Sequence, residues 1–398
     1  MISFLLKISN KFFTLISYQL FCPIFRQTSN LQNKNNKICI TSHSLGKGGA
    51  ERSAAILSQL LDNLGYEVHI AILNDEIDYP YSGTLFNMGL MKTDKDTFGS
   101  RYKRFRKLKK YLIENEIDVI IDHRTKSQYY RELFYHHYVY QDVQKIYVTH
   151  SSLGAHYLTQ KQQQFTRLLN KNMCNVAVSK YIEKQVLNEA GVVKTTTIYN
   201  TFDSARVSLD RKLPAQLVNT DFILCYGRLV DEIKDISFLI QSYAASKLWE
   251  QSIKLVILGD GDDKEMLQKL ANSLPGGDSI LFFPFTKEPF IFITEARCVA
   301  LTSKYEGFPM VLLEALSLGT PVVSLDIISG PNEIVQHEEN GLLIEKREVP
   351  LFAEALVRMC MDTEFNAHCK SNARKTVEPF SSEKIAQDWH NLLQNESN

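Results

Sequence analysis

VALTSKYEGFPMVLLEALSLGTPVVSLD, residues Val299 to Asp326, decides how the whole 398-residue chain is read. Val299–Ser303 is a short apolar run of strand type, and Lys304–Pro309 is a polar turn punctuated by Gly and Pro. Met310–Leu318 has helical character. Pro309 suits a first helical position, where a missing N–H has no partner to lose. Gly319 stands where a left-handed cap is wanted, and Pro321 blocks continuation. Val322–Asp326 is the next strand. The pattern predicts a strand–loop–helix–strand unit whose loop lies at the carboxyl end of a parallel strand, where open α/β sheets hold ligands.

That unit carries two carboxylates. Glu306 lies just ahead of the helix, whose free N–H groups and dipole favour an anion such as a diphosphate. Glu314 lies roughly 6–8 Å beyond the helix start, at about 1.5 Å per residue. An extended nucleoside-diphosphate sugar fits this ruler, with its phosphates on the turn from Gly307 through Phe308 and Pro309 to Met310. Its ribose would then meet Glu314 and its sugar Glu306. Any lone pair of glutamates reads more simply as one solvated loop residue and one helix residue. The surrounding Tyr305-Glu-Gly-Phe-Pro309, Leu313-Glu-Ala-Leu316 and Gly319-Thr-Pro-Val-Val323 change that balance. On these residues the segment resembles the donor-binding segment of retaining glycosyltransferases of the GT-B fold, family 4. The resemblance covers most of the chain from Lys37 onward.

Composition agrees with such a protein and excludes other classes. The length suits two domains of ordinary size. The hydrophobic share is 44%, globular rather than membrane-like or disordered. Lys+Arg and Asp+Glu balance at 45 each, so no global charge points to nucleic acid. The 7 cysteines are scattered with no C-x-x-C, which fits a reducing cytosol better than a disulfide framework or a zinc site. The first twenty-five residues are apolar and aromatic, yet Lys7, Asn10 and Lys11 interrupt them, so no clean membrane span exists. Glu51 is the first acidic residue, with Lys7, Lys11, Arg26, Lys34, Lys37 and Lys47 before it. Two readings stand side by side: a segment lying on an anionic membrane surface, or an ill-ordered extension ahead of the fold.

In chain order, Lys37–Ser42 reads as the first strand and His43–Ala50 as a glycine-rich turn. Glu51 occupies the position where a dinucleotide fingerprint needs glycine, and no Gly-Lys-Ser/Thr enters the helix, so neither a nicotinamide nor a Walker reading holds. Gly48 and Gly49 remain a turn whose backbone can approach a phosphate or sugar closely. They resemble the glycine turn that faces the donor in the same glycosyltransferases. Arg101–Leu112 is a helix carrying Arg101, Lys103, Arg104, Arg106, Lys107, Lys109 and Lys110. It is either an ordinary solvated face or a patch facing anionic lipid. Strands follow at Asp118–Asp122, Lys145–Thr149, Asn175–Ser179 and Thr195–Asn200. A strand-end histidine is usually structural, but the resemblance puts His150 where a cleft histidine touches the donor sugar.

The second half opens on the strand Asp221–Tyr226, followed by Arg228 and Lys234. Two cations at the mouth of a strand–loop–helix unit can neutralise a diphosphate, Arg as a fork and Lys as a point charge. They resemble the family's phosphate-binding pair, except that Asp235 follows Lys234 where lysine–glycine is frequent. After the strand Lys254–Leu258, Asp260 and Asp262 form a D-x-D. It is read as a turn and helix N-cap region, with no metal expected. The resemblance seats the nucleotide base at the turn carrying Phe285.

The expectation is therefore an α/β protein of two Rossmann-like domains facing across a cleft. Residues 1–36 form an extension and linker, 37–200 an acceptor-side domain, 201–380 a nucleotide-sugar-binding domain, and 381–398 a helix packing back on the first. The resemblance implies a metal-independent, retaining transfer of a hexosyl group from a nucleotide sugar, uridine-linked by default, to a saccharide or lipid-linked saccharide acceptor. No cofactor beyond the donor and no nucleic acid is expected. The compartment is cytoplasmic, with the inner face of the plasma membrane as the site if the basic segments bind lipid. A non-catalytic scaffold and a nucleotide-sugar epimerase of the same fold remain as alternatives.

Overall fold

The computed structural model describes residues 36–46, 48–92, 97–204, 207–208, 210 and 212–395. The expectations for residues 1–35, including membrane contact, lie outside this set. So does Lys47 of the glycine turn.

Two compact units appear. The first runs to Tyr199 and takes in the chain again from Ile385, and the second spans Asn200–Lys384. The first holds β1 (Lys37–Ser42), β2 (Glu67–Ile72), β3 (Thr84–Asn87), β4 (Val119–Asp122), β5 (Gln144–Thr149), β6 (Cys174–Ala177) and β7 (Thr195–Thr197). Their order across the sheet is β3-β2-β1-β4-β5-β6-β7, and every pairing is parallel. Parallel strands buried on both faces are near-continuous apolar runs, and Ile38, Cys39 and Ile40 are each 0% exposed. β3 went unread in the sequence because it is a four-residue edge strand, partly exposed along its length, with no alternation to mark it.

The second unit holds β8 (Phe222–Tyr226), β9 (Lys254–Leu258), β10 (Ile280–Phe283), β11 (Cys298–Leu301), β12 (Val322–Leu325) and β13 (Gly341–Ile344). Their order is β10-β9-β8-β11-β12-β13, again all parallel. Leu239, Leu255, Ile257, Leu356 and Phe352 lie in its core.

In both sheets the chain starts in the middle, builds outward one way, then returns and builds the other way. Adjacent strands β1 and β4, and likewise β8 and β11, therefore send their following loops in opposite directions, which opens a crevice at their carboxyl ends. The terminal helix Ser382–Asn395 buries Ile385, Trp389 and Leu393, and its His390 Nδ1 lies 2.9 Å from the Tyr66 hydroxyl. Among the described residues no helix is long and apolar enough to cross a membrane.

Candidate active site

In the C-terminal unit the crevice is built from the loops after β8 and β11. The β8 loop runs through Gly227 and Arg228 into the short helix Asp231–Lys234. The β11 loop runs from Thr302 to Pro309 and enters the helix Met310–Leu318. The two loops are sewn together by backbone. Lys304 N–H donates to the Ile233 carbonyl at 2.8 Å. The Thr302 hydroxyl lies 3.1 and 3.0 Å from the carbonyls of Lys234 and Asp235. This brings Lys234 Nζ to 2.5 Å from Glu306 Oε1, which also accepts from Ser303 Oγ at 2.7 Å. The two side chains are 27% and 14% exposed, shielded enough for their charges to matter yet still open to a ligand.

The turn carrying Glu306 is held from behind. Phe308 is buried with its ring centroid 5.5 Å from that of Phe380. Ser329 Oγ donates to the Gly307 carbonyl at 2.9 Å. Gly330 adopts φ +97, and a Cβ there would stand 2.4 Å from Pro309 Cδ, so only glycine lets this backbone close on the turn. Pro309 is the helix cap residue rather than its first residue, and no side chain caps that end. Leu312 N–H donates to the Pro309 carbonyl at 3.0 Å, and the N–H groups of Met310 and Val311 precede it at the end of the helix where anions are favoured. Gly319 ends the helix at φ +89. Glu314 is 1% exposed, and the Tyr226 hydroxyl lies 3.0 Å from its Oε2 and 3.1 Å from the Val311 carbonyl.

Arg228 is exposed on the β8 loop, and Phe285 is 42% exposed after β10. The aspartates between them close loops. Asp260 accepts from the Phe285 N–H at 2.9 Å and pairs with Lys264 at 2.7 Å, while Asp263 accepts from the Asp231 N–H at 2.8 Å.

In the N-terminal unit, Gly48 is the cap residue and Gly49 the first residue of the helix Gly49–Asn63, and a Cβ at Gly49 would meet nothing within 4 Å. His150 follows β5, and its Nε2 lies 2.9 Å from Nδ1 of His123, which follows β4. Burial, then the neighbouring Lys126, brings His123 down to about 3. Burial, His123 and Lys126 hold His150 well below its ordinary value. Both rings are neutral at neutral pH.

Beside them lies a charged cluster that sequence reasoning passed over. Asp122, Arg124 and Glu132 are each 0% exposed. Arg124 Nη2 donates to Asp122 at 2.6 Å and to Glu132 at 3.2 Å, and its guanidinium covers the Tyr135 ring at 3.6 Å. Lys126 Nζ donates to the carbonyls of Asp122 and Arg124 at 3.0 and 2.7 Å. Burial alone would raise Asp122, but Arg124 and Lys126 bring it down to about 2. Buried charges persist only when paired in this way. The signal in the sequence was Asp122-His-Arg124 at a strand end, which carries no hint of burial.

The candidate residues thus fall into two sets. Gly48, Gly49 and His150 belong to the first unit. Arg228, Lys234, Phe285, Glu306, Gly307, Phe308, Pro309, Met310 and Glu314 belong to the second, where Lys234 and Glu306 are in direct contact and Glu314 is buried one helix turn beyond the loop.

Comparison with known proteins places this geometry. Residues 210–376 match the family described as Glycosyl transferases group 1, and residues 47–206 match Glycosyltransferase Family 4. The N-acetylgalactosamine-N,N'-diacetylbacillosaminyl-diphospho-undecaprenol 4-alpha-N-acetylgalactosaminyltransferase of Campylobacter jejuni is 27% identical over 369 residues, covering 88% of this chain and 98% of that protein. The lipopolysaccharide 1,6-galactosyltransferase of Escherichia coli is 32% identical over 190 residues, 46% of this chain and 51% of that one. The structure of Anabaena HepE, solved in complex with UDP, superposes with a TM-score of 0.73 at 21% identity, covering 90% of this chain and 100% of that one. The two matched segments meet near the boundary between the units and together span most of the chain, which belongs to the family 4 glycosyltransferases of the GT-B fold.

Proposed function

We propose that the protein transfers a hexosyl group from a uridine-diphosphate sugar to a saccharide acceptor, with retention at the anomeric carbon and without a metal. The observation that carries this is the Lys234–Glu306 contact in the crevice between β8 and β11, directly ahead of the uncapped helix Met310–Leu318. A diphosphate placed there meets Lys234, Arg228 and the first-turn amides. A sugar hydroxyl then replaces Lys234 as a partner of Glu306. Support for the donor class comes from Anabaena HepE, solved with UDP and with UDP-glucose.

In this scheme the bond between the anomeric carbon and the diphosphate oxygen breaks as the acceptor oxygen attacks from the same face. A donor phosphate oxygen takes the acceptor proton. Lys234, Arg228 and the helix amides stabilise the departing diphosphate, electrostatic work of the kind that dominates many enzymes. Glu306 orients the sugar, Glu314 and Phe285 serve the nucleoside end, and His150, Gly48 and Gly49 are proposed as further donor-sugar residues.

The acceptor is proposed to be a lipid-linked or cell-surface saccharide, as the names of the Campylobacter and Escherichia relatives support. Attachment to the inner face of the plasma membrane belongs to the same reading. The helix Phe98–Glu114 exposes Lys103, Arg106, Lys107 and Lys110 at positions that share one helical face.

Incubation with uridine, guanosine and adenosine diphosphate sugars in excess chelator, followed by proton NMR of the product, tests the proposal. Turnover of a uridine-linked sugar with the anomeric configuration kept is expected. An inverted product, or turnover that only a divalent cation restores, overturns it.

A further inference from the structure

Asp235 has φ +49 and ψ 47, a left-handed conformation that glycine adopts freely and other residues only at a cost. It stands between Lys234 and the helix Ile236–Ser246. Its carboxylate, 13% exposed, accepts from Arg347 Nη1 at 2.5 Å and lies 3.8 Å from Lys304 Nζ.

Arg347 arrives from the loop after β13, two strands away from β11 in the sheet. The same Nη1 donates to the Thr302 carbonyl at 2.8 Å, and Nη2 donates to the Ser303 carbonyl at 2.7 Å. The guanidinium also lies over the Phe238 ring, 5.6 Å from its centroid. One planar group therefore bridges the residue that follows Lys234 and the strand end that precedes Glu306. A guanidinium has the several donors in fixed geometry that such a bridge requires, and an ammonium does not.

We infer that Arg347, acting through Asp235, is a positioning residue that sets the separation of Lys234 and Glu306. The inference rests on the reading that those two residues hold the donor. It gives the aspartate a reason to occupy a glycine-type conformation, since its carboxylate is the anchor of the bridge. Arg347 itself, with these hydrogen bonds spent on protein acceptors, acts on the donor only through the two loops.

The test uses the full chain and the variants K234A, D235G, D235N, R347Q and D235G/R347Q. It measures calorimetric binding of uridine, guanosine and adenosine diphosphates, turnover of the matching nucleotide sugar, and the thermal midpoint. D235G should keep or raise the midpoint, because glycine is at ease at this φ. It should nonetheless lose about tenfold in diphosphate affinity and on the order of 10- to 100-fold in turnover, as displaced catalytic groups do. D235N tolerates the left-handed conformation and keeps an acceptor for Arg347, so it should recover most of that loss. The double variant should lose no more than R347Q alone. If K234A is impaired while D235G binds and turns over like wild type, the bridge has no positioning role. If K234A binds as wild type does, or wild type binds none of the three diphosphates, the donor reading fails and the inference falls with it.

Discussion

Glu306 and Glu314 are eight residues apart on one loop–helix segment, yet the structure gives them different surroundings. Glu306 is at the loop surface with Lys234 and Ser303, whereas Glu314 is buried against Tyr226. Replacing Glu306 by Ala should leave nucleoside diphosphate binding near wild type and slow transfer by about 2–4 kcal/mol of lost transition-state stabilisation. Replacing Glu314 by Ala should weaken nucleoside diphosphate binding and also cost about 1–3 kcal/mol of folding stability, because it removes a buried, hydrogen-bonded side chain and leaves Tyr226 one acceptor fewer. Calorimetry and thermal melts on both variants check this, and equal losses of nucleotide affinity would contradict the division of labour. The two glutamates and Lys234 could be picked out in the sequence by residue type and spacing. Their contacts could not. Ser303 and Tyr226 are ordinary residues at strand ends; Ser303 meets Glu306 within one loop, whereas only the pairing of β8 with β11 brings Tyr226 to Glu314.

At the scale of elements, legibility followed local punctuation. The helix Met310–Leu318 has the bounds read for it, with Pro309 as its cap and Gly319 at its end, and β9 matches its apolar run residue for residue. What local signals do not report is how a distant residue closes a loop. Gly330 lies more than twenty residues beyond Pro309 and reads only as a turn former in the sequence, but its φ of +97 and its close approach to Pro309 make it part of the turn that carries Glu306. Substituting Ala at Gly330 should therefore destabilise the unit by about 1–3 kcal/mol through backbone strain. It should also weaken nucleoside diphosphate binding, and a variant with wild-type melting and binding would sink the claim. The basic helix needs a correction of the same origin. Arg104 is buried at 8% exposure, so the exposed stripe is Lys103, Arg106, Lys107 and Lys110. Neutralising those four should abolish the salt-sensitive part of binding to anionic vesicles, each charge being worth on the order of 1 kcal/mol. Sedimentation with vesicles at low and high salt measures this, and unchanged binding would return the stripe to an ordinary solvated face.

For the molecule as a whole, alternating strands and helices with a break near residue 200 are readable from apolar runs and turns. Burial of titratable groups is not, and it should make the N-terminal unit sensitive to acid. His43 is brought down to about 4 by burial and then by Arg124, and His123 to about 3. His150 is held low for the same leading reason. Each takes up a proton on unfolding once the pH is below the ordinary imidazole value. The stability they contribute is thus complete above about pH 6.5 and is lost as pH falls toward their folded values. The slope is up to about 1.4 kcal/mol per pH unit for each fully buried ring. Asp122, brought down to about 2, extends the loss below its own ordinary range. Thermal midpoints should fall progressively from pH 6.5 to pH 4, and a flat profile over that interval would contradict the buried neutral pair.

The function proposed above requires that a nucleotide sugar be cleaved in the Lys234–Glu306 crevice. Release of nucleoside diphosphate from a nucleotide sugar, by wild type and by the K234A and E306A variants in excess chelator, measures this. Wild type should turn the donor over, and each variant should be slower by about 30-fold or more, the lower end of what a lost charge contact costs in an active site. Turnover by either variant at the wild-type rate would contradict it.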